Sequence, residues 1–218
     1  MVWIWAFVSA LFSLLYGFKF TQQTVSSQKT LVKIVPVLAL ALISFAGNGP
    51  MILTVALLFG AVGDACLSRD GVPFFLGGLT SFLLGHLGFC ILFLQVGSEM
   101  TLIFSDWGRL AAAVSLSFFA LGMVKQLFPK LGSLAIPVLI YIAVIWLMGL
   151  SALGLPFAIP WMLAIIGAGL FIASDAILSF ELFILAEDDS VRRFTSPVLW
   201  FLYWGGQSLI VLAFVWPF

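Results

Sequence analysis

Apolar residues run along this chain in long stretches, without the strict alternation that marks a half-buried strand. Charges, glycines and prolines cut the pattern into eight segments: 2–18, 31–47, 50–67, 73–96, 107–124, 133–150, 157–180 and 195–216. About 20 apolar residues suffice to cross the hydrocarbon core as a helix. A helix is also the form in which such a segment satisfies its own backbone without water. The predicted fold is therefore all-α, a polytopic membrane bundle of eight transmembrane helices. Several segments are short, so some helices should be tilted, kinked or partly interfacial. The string Gly47-Asn48-Gly49-Pro50 is a strong turn signal, and it divides a stretch too long for one crossing. No loop is long enough for a soluble domain, so 1–218 reads as a single integral membrane domain.

Composition agrees. The chain is 63% hydrophobic and 8% charged, with a mean hydropathy of +1.24. A soluble domain carries about 25% charged residues. Net charge is zero, which gives no reason to expect nucleic acid as a partner. Met1 to Phe20 has no basic residue ahead of its apolar run and no small-x-small cleavage site, and reads as an uncleaved first span. Basic residues set the orientation. Lys19, Lys29, Lys33, Arg69, Lys125, Lys130, Arg192 and Arg193 fall in or beside the first, third, fifth and seventh loops, against Arg109 alone on the other side. Both termini should then be non-cytoplasmic. Chemistry is confined to the membrane or its cytoplasmic rim; in a bacterium that membrane is the inner one. The eight tryptophans read mostly as interfacial belts and lipid-facing packing.

Asp64 and Asp175 lie inside apolar segments. An Asp at mid-span costs about 2.5–3.5 kcal/mol on insertion, and such residues are functional by default. Their contexts match: Gly63-Asp64-Ala65-Cys66-Leu67-Ser68 and Ser174-Asp175-Ala176-Ile177-Leu178-Ser179. Each ends the third segment of a four-segment half, so a 4+4 parallel internal repeat is expected, with halves 1–98 and 99–218. One reading pairs each carboxylate with Lys33 or an arginine, or has it cap a neighbouring helix. The other brings both to one cavity, where one carboxyl can keep its proton while its neighbour is ionised. That is equipment for general acid–base catalysis.

Four further polar residues sit within the spans. Lys33 either snorkels to the interface or faces the bundle and meets a phosphate or carboxylate. His86 either bonds a neighbouring helix or serves the site. Tyr203 and Gln207 share one face of the last segment, one turn apart. They can bond substrate, water or another helix. Glu187-Asp188-Asp189 with Arg192-Arg193 reads as a solvated loop. The single histidine and the lack of a Cys/His cluster give no expectation of a metal, and no cofactor fingerprint is present. Cys66 and Cys90 read as inert small apolar residues.

At these positions the chain resembles the YhhN-type membrane proteins, which include lysoplasmalogenases. Leu31-Val32-Lys33-Ile34-Val35-Pro36 is similar to the family's Lys-x-x-Pro. Leu58 to Ala65 is similar to its Gly-Asp segment, and Gly85-His86-Leu87 to its Gly-His-Leu. Pro137-Val138, Tyr141 and Met148 follow its sixth-helix pattern. Gly169 to Asp175 resembles its Ser-Asp segment, and Tyr203-Trp204-Gly205-Gly206-Gln207 its Tyr-Tyr-x-x-Gln. Phe89 and Trp204 stand where the family often has tyrosine, so those two hydroxyls are absent.

The resemblance implies an eight-helix hydrolase that cleaves the vinyl ether of lysoplasmalogens, with no cofactor or metal. The products are a fatty aldehyde and glycerophosphoethanolamine or glycerophosphocholine. Its partners are a lysophospholipid substrate, water and membrane lipid. Catalysis falls to Asp64 and Asp175, with Asp175 favoured as acid and Asp64 as base. Lys33 would meet the phosphate; His86, Tyr203 and Gln207 would position water or the ether oxygen. The alternative is a proton-coupled transporter using the aspartates as a relay. Against it stand the parallel sense of the repeat and the lack of a mid-span Gly/Pro break. A non-catalytic lipid-binding protein is a further alternative, one that leaves two costly aspartates with packing roles only.

Overall fold

The computed structural model describes residues 2–215, and they form helices joined by short turns. The helices are α1 (Val2–Leu15, continued by a π-helical turn, Tyr16–Phe20), α2 (Ser27–Ala46), α3 (Met51–Leu67), α4 (Val72–Gln95) and a short α5 (Met100–Ser105). They continue with α6 (Trp107–Leu131), α7 (Ala135–Leu153), α8 (Trp161–Phe183) and α9 (Arg192–Val215). No strand occurs among the described residues. The protein is an all-α, multi-pass membrane protein. Six helices are long and apolar enough to cross a membrane, with Trp107–Leu153 entering as one and the 17-residue α3 falling just short.

Trp107–Leu153 is not one rod. Trp146 on α7 donates to Ser117 Oγ on α6 at 3.0 Å, and Arg109 at the start of α6 donates to Leu153 O at the end of α7. The chain therefore folds back at Gly132, whose φ of +51° suits a residue without a side chain. The Gly47–Pro50 turn is present, with Asn48 in the left-handed region at φ +56°. Gly47 and Gly49 lie against the Val215 side chain, where an added Cβ at Gly47 would come within 2.2 Å.

Helix boundaries move by a few residues from the expected spans. Ser26 accepts from Lys29 N at 3.1 Å and starts α2 four residues before 31, so Lys29 is helical. Asp106 caps α6 through Arg109 N at 2.8 Å. The α6 helix runs seven residues past 124, to Leu131. The last position of the expected span 195–216 lies outside the described residues.

One continuous core draws on all the long helices except α6. A smaller cluster of Met123, Leu127, Leu131 and Val138 closes the α6–α7 hairpin. Two of the tryptophans expected at the interface belong to the core instead. Trp200 is 1% exposed and donates to Ser13 O and Oγ at 3.0 and 3.1 Å. Trp204 donates to Ser9 Oγ at 2.9 Å, and that hydroxyl donates in turn to Pro36 O. Buried serines on α1 thus give both indoles a partner, which a hydropathy pattern does not reveal. Trp3 and Trp107, at 69% and 85% exposed, fit the expectation of an outward-facing belt.

Candidate active site

The loops after the first, third, fifth and seventh segments gather at one end of the bundle. Gln22 reaches Arg192 O at 3.0 Å. Arg69, Leu134 and Glu187, from or beside the other three loops, line one cavity of about 570 Å³. Lys33, Asp64, Asp175 and Tyr203 line the same cavity. Its floor is carboxylate and phenol, and its mouth carries Arg69, Asp70 and Glu187.

Asp64 on α3 is 2% exposed. Lys33 Nζ on α2 lies 3.1 Å from its Oδ1, and Tyr203 OH on α9 donates to its Oδ2 at 2.8 Å. A salt bridge shut away from water is favourable only with good geometry and further hydrogen bonds. Here each oxygen has its own donor. Lys33 therefore faces the bundle and meets a carboxylate, the pairing that the sequence left open.

Asp175 on α8 is 6% exposed. His86 Nε2 on α4 lies 2.7 Å from its Oδ2, and Tyr141 OH on α7 donates to the same oxygen at 3.0 Å. His86 lies with Tyr141 on one side, ring centroids 5.5 Å apart, and Phe171 edge-on at 4.6 Å. Among the described residues, Oδ1 of Asp175 accepts no hydrogen bond, and it is not one of the sealed polar atoms. It is the uncommitted oxygen of the site.

The two clusters are built alike. Ser68 Oγ donates to Asp64 O at 2.7 Å, as Ser179 Oγ donates to Asp175 O at 2.8 Å. Each aspartate takes one partner from the helix before it, Lys33 or Tyr141, and one from a helix distant in sequence, Tyr203 on α9 or His86 on α4. Gly85 packs on the carbonyl of Ala56, and Gly206 on that of Gly167; a Cβ would lie 3.2 and 2.7 Å away. Those glycines let α4 approach α3, and α9 approach α8, at matching heights. The next residues are His86 and Gln207. His86 Nδ1 and Gln207 Nε2 are the two buried side-chain atoms, among the described residues, that lack a hydrogen-bond partner.

Two residues of this region stand out only in the structure. Tyr141 was noted for its family pattern, and nothing in its apolar surroundings marks it as a partner of Asp175. Glu181 fell one residue beyond the expected span 157–180, yet it is 6% exposed within α8. Its carboxylate accepts from Ser196 Oγ at 2.9 and 3.1 Å and from Thr195 Oγ1, at the start of α9. Arg192 closes the connection from α8, donating to Ala186 O at 2.7 Å, to Leu185 O at 3.2 Å and to Glu181 O. Phe89, one of the two departures from the family pattern, is buried against Phe93 and Phe171. No three His, Cys, Asp or Glu side chains are grouped to hold a metal among the described residues.

Comparison with known proteins meets this geometry. The profile of the YhhN family matches residues 28–214. Two curated relatives, each called "Lysoplasmalogenase", come from Mycobacterium bovis and Mycobacterium tuberculosis. Both are 32% identical over 168 residues, which is 74% of this chain and 59% of theirs. The chain thus matches about three fifths of the length of those relatives. No solved structure matches the chain.

Proposed function

The chain belongs to the YhhN family, and from that premise we propose that it is a lysoplasmalogenase-type hydrolase cleaving the vinyl ether of a lyso vinyl-ether phospholipid. The observation that carries this reading is the shared cavity. Two buried carboxylates open into it, one beside a cation and one with a free oxygen. We read the bundle as eight crossings in two parallel four-helix halves, with the cavity mouth on the cytoplasmic side. The equivalent serine, glycine and aspartate contacts support the repeat. The gathering of the odd-numbered loops at the mouth supports the orientation.

A vinyl ether resists base and yields to acid. Asp175 holds its proton on Oδ1, while Oδ2 accepts from His86 and Tyr141. The proton passes to the β-carbon of the double bond and leaves an oxocarbenium ion. The Asp64 carboxylate, paired with Lys33 and Tyr203, stabilises that cation and takes a proton from water as the oxygen adds to the α-carbon. The hemiacetal then collapses. Its hydroxyl proton returns to Asp175, and Asp64 gives its proton to the departing glycerol oxygen. Both carboxyls end as they began, and the products are an aldehyde and a glycerophospho head group. The logic parallels the carboxylate pairs that serve glycosidic cations. The unpartnered His86 Nδ1 and Gln207 Nε2 offer places for water. With Lys33 committed to Asp64, Arg69 at the mouth joins it as a cation for the phosphate.

The test is aldehyde release by purified protein from a lyso vinyl-ether lipid, with an ester-linked lysolipid as the control that stays intact. In D2O the aldehyde should carry one deuterium on the carbon next to its carbonyl. Release of no aldehyde sinks the hydrolase reading, and proton-coupled uptake into sealed vesicles would replace it with transport.

A further inference from the structure

We infer that the hydrocarbon chain of the substrate leaves the reactive centre sideways, through the seam between α6 and α8, and lies along α6 beside Trp146. The inference rests on the vinyl-ether reading. In such a lipid the reacting carbons are the first two of the chain, directly after the polar glycerol. The catalytic oxygen must therefore stand where a polar chamber turns apolar.

Asp175 stands at such a boundary. It lines the cavity with the charged mouth, and it also lines a second, narrow hollow. The second hollow lies between Ala120 and Met123 of α6, Tyr141 and Trp146 of α7, and Ile172 and Ala176 of α8. Apart from Asp175 itself its walls are almost wholly apolar. Asp64 does not reach it.

The seam leads outward. Ala120 and Trp146 also line an apolar hollow of about 340 Å³ on the outer side of α6 and α7. Trp146 further borders one of about 470 Å³ along α5 and α6, walled by Ile103, Val114 and Leu150. The indole N–H is already bonded to Ser117 at 3.0 Å, so the ring offers the chain a dry face. The middle of α6 is free to take part. Between Ala113 and Met123 it buries no residue, while its ends are fixed by Arg109 and by the α6–α7 hairpin. The other narrow apolar hollow near the site, between Phe75, Leu79 and Val138, touches neither aspartate.

Two substitutions test the seam in opposite directions. Ala120→Phe fills it, and Ile172→Ala widens it. We expect Ala120→Phe to raise the KM for a 16-carbon vinyl-ether lysolipid at least tenfold, with the value for an 8-carbon analogue held within about twofold. Ile172→Ala should shift the long-to-short preference the other way. Ile136→Phe, on the exposed face of α7 and outside all three hollows, should leave the ratio unchanged. The ratio is measured on one protein sample, so partial misfolding does not mimic it. Equal effects on both chain lengths, or none, overturn the proposal.

A second arm needs no turnover. A saturated 1-O-alkyl lysophospholipid with a photoreactive group at its chain end should label α6 near Val114 or α7 near Trp146 and Leu150. Labelling confined to α1–α4 or α9 overturns the seam. Should wild type release no aldehyde, the hydrolase reading fails, and the labelling map still decides the seam.

Discussion

Asp64 and Asp175 occupy the same place in similar helices, each with a serine one turn later bonded back to its carbonyl. Their neighbours divide them. Asp64 has an ammonium on one oxygen and a phenol on the other. Asp175 has an imidazole and a phenol crowded on a single oxygen, with the second left open to the cavity. One carboxyl is ion-paired on one oxygen and hydrogen-bonded on the other, whereas the second has both partners on a single oxygen. Position along the helix places both carboxyls at one cavity. Partner chemistry sets them apart.

The comparison breaks most directly at the carboxyls. Asp175→Asn keeps an acceptor for His86 and Tyr141 but removes the acid, and kcat should fall about 10²–10⁴-fold. Asp64→Asn should fall within the same range, with the added cost of an unpaired Lys33. Aldehyde release by both variants, each checked for a monodisperse folded state in detergent, is the measurement. Full activity in either would remove that residue from catalysis.

Lys33 sharpens the division next. Lys33→Met should lower kcat by about 10–100-fold, since a hydrogen bond to a charged group is worth about 1.5–3 kcal/mol. Lys33→Arg should recover part of it. If Lys33 served only the phosphate, KM would rise with kcat unchanged.

The two phenols give a smaller and more diagnostic contrast. Tyr203→Phe removes a donor to an ion-paired carboxylate and should cost roughly 10–100-fold in kcat. Tyr141→Phe removes a donor to the carboxyl proposed as the acid; with a neutral partner such a bond is worth about 0.5–1.5 kcal/mol, and the loss should be roughly 2–10-fold. Reversal of that order would exchange the roles of the aspartates. The smallest effect belongs to Trp204→Tyr, which restores the family's usual residue. Its indole bonds Ser9 on the side of α1, so activity should stay within about twofold. A large loss there would show that the α1 contact shapes the site.

Much of this was legible in the sequence, because lipid leaves few options. Apolar stretches must be helices, so the segments fall close to the observed rods, and Gly47–Pro50 turns where its residues predict. The charge bias put Lys33 and Arg69 at one end with the aspartates, and the structure brings Lys33, Arg69, Asp64 and Asp175 to one cavity. What escaped was long-range pairing. Nothing local says that Tyr141 reaches Asp175, or that Lys33 reaches Asp64. Those contacts depend on which helix faces which, and glycine approaches such as Gly167 to Gly206 set that. Glu181 escaped for a simpler reason: its charge sets the end of the expected span although apolar residues continue past it, and two hydroxyls on α9 make its burial tolerable.

Arg192 holds three carbonyls of the chain that leaves α8, and that chain carries Glu187 to the cavity mouth. Ordering a free loop costs about 1–2 kcal/mol per residue in backbone entropy. Here that loss is incurred once, during folding, and does not recur with each lipid. On the proposed reading, uptake would begin from a rim already in shape, and the freedom given up on binding would be mostly the lipid's own. If the substrate is a dilute single-chain lipid in a crowded leaflet, such preorganisation would favour capture at low occupancy.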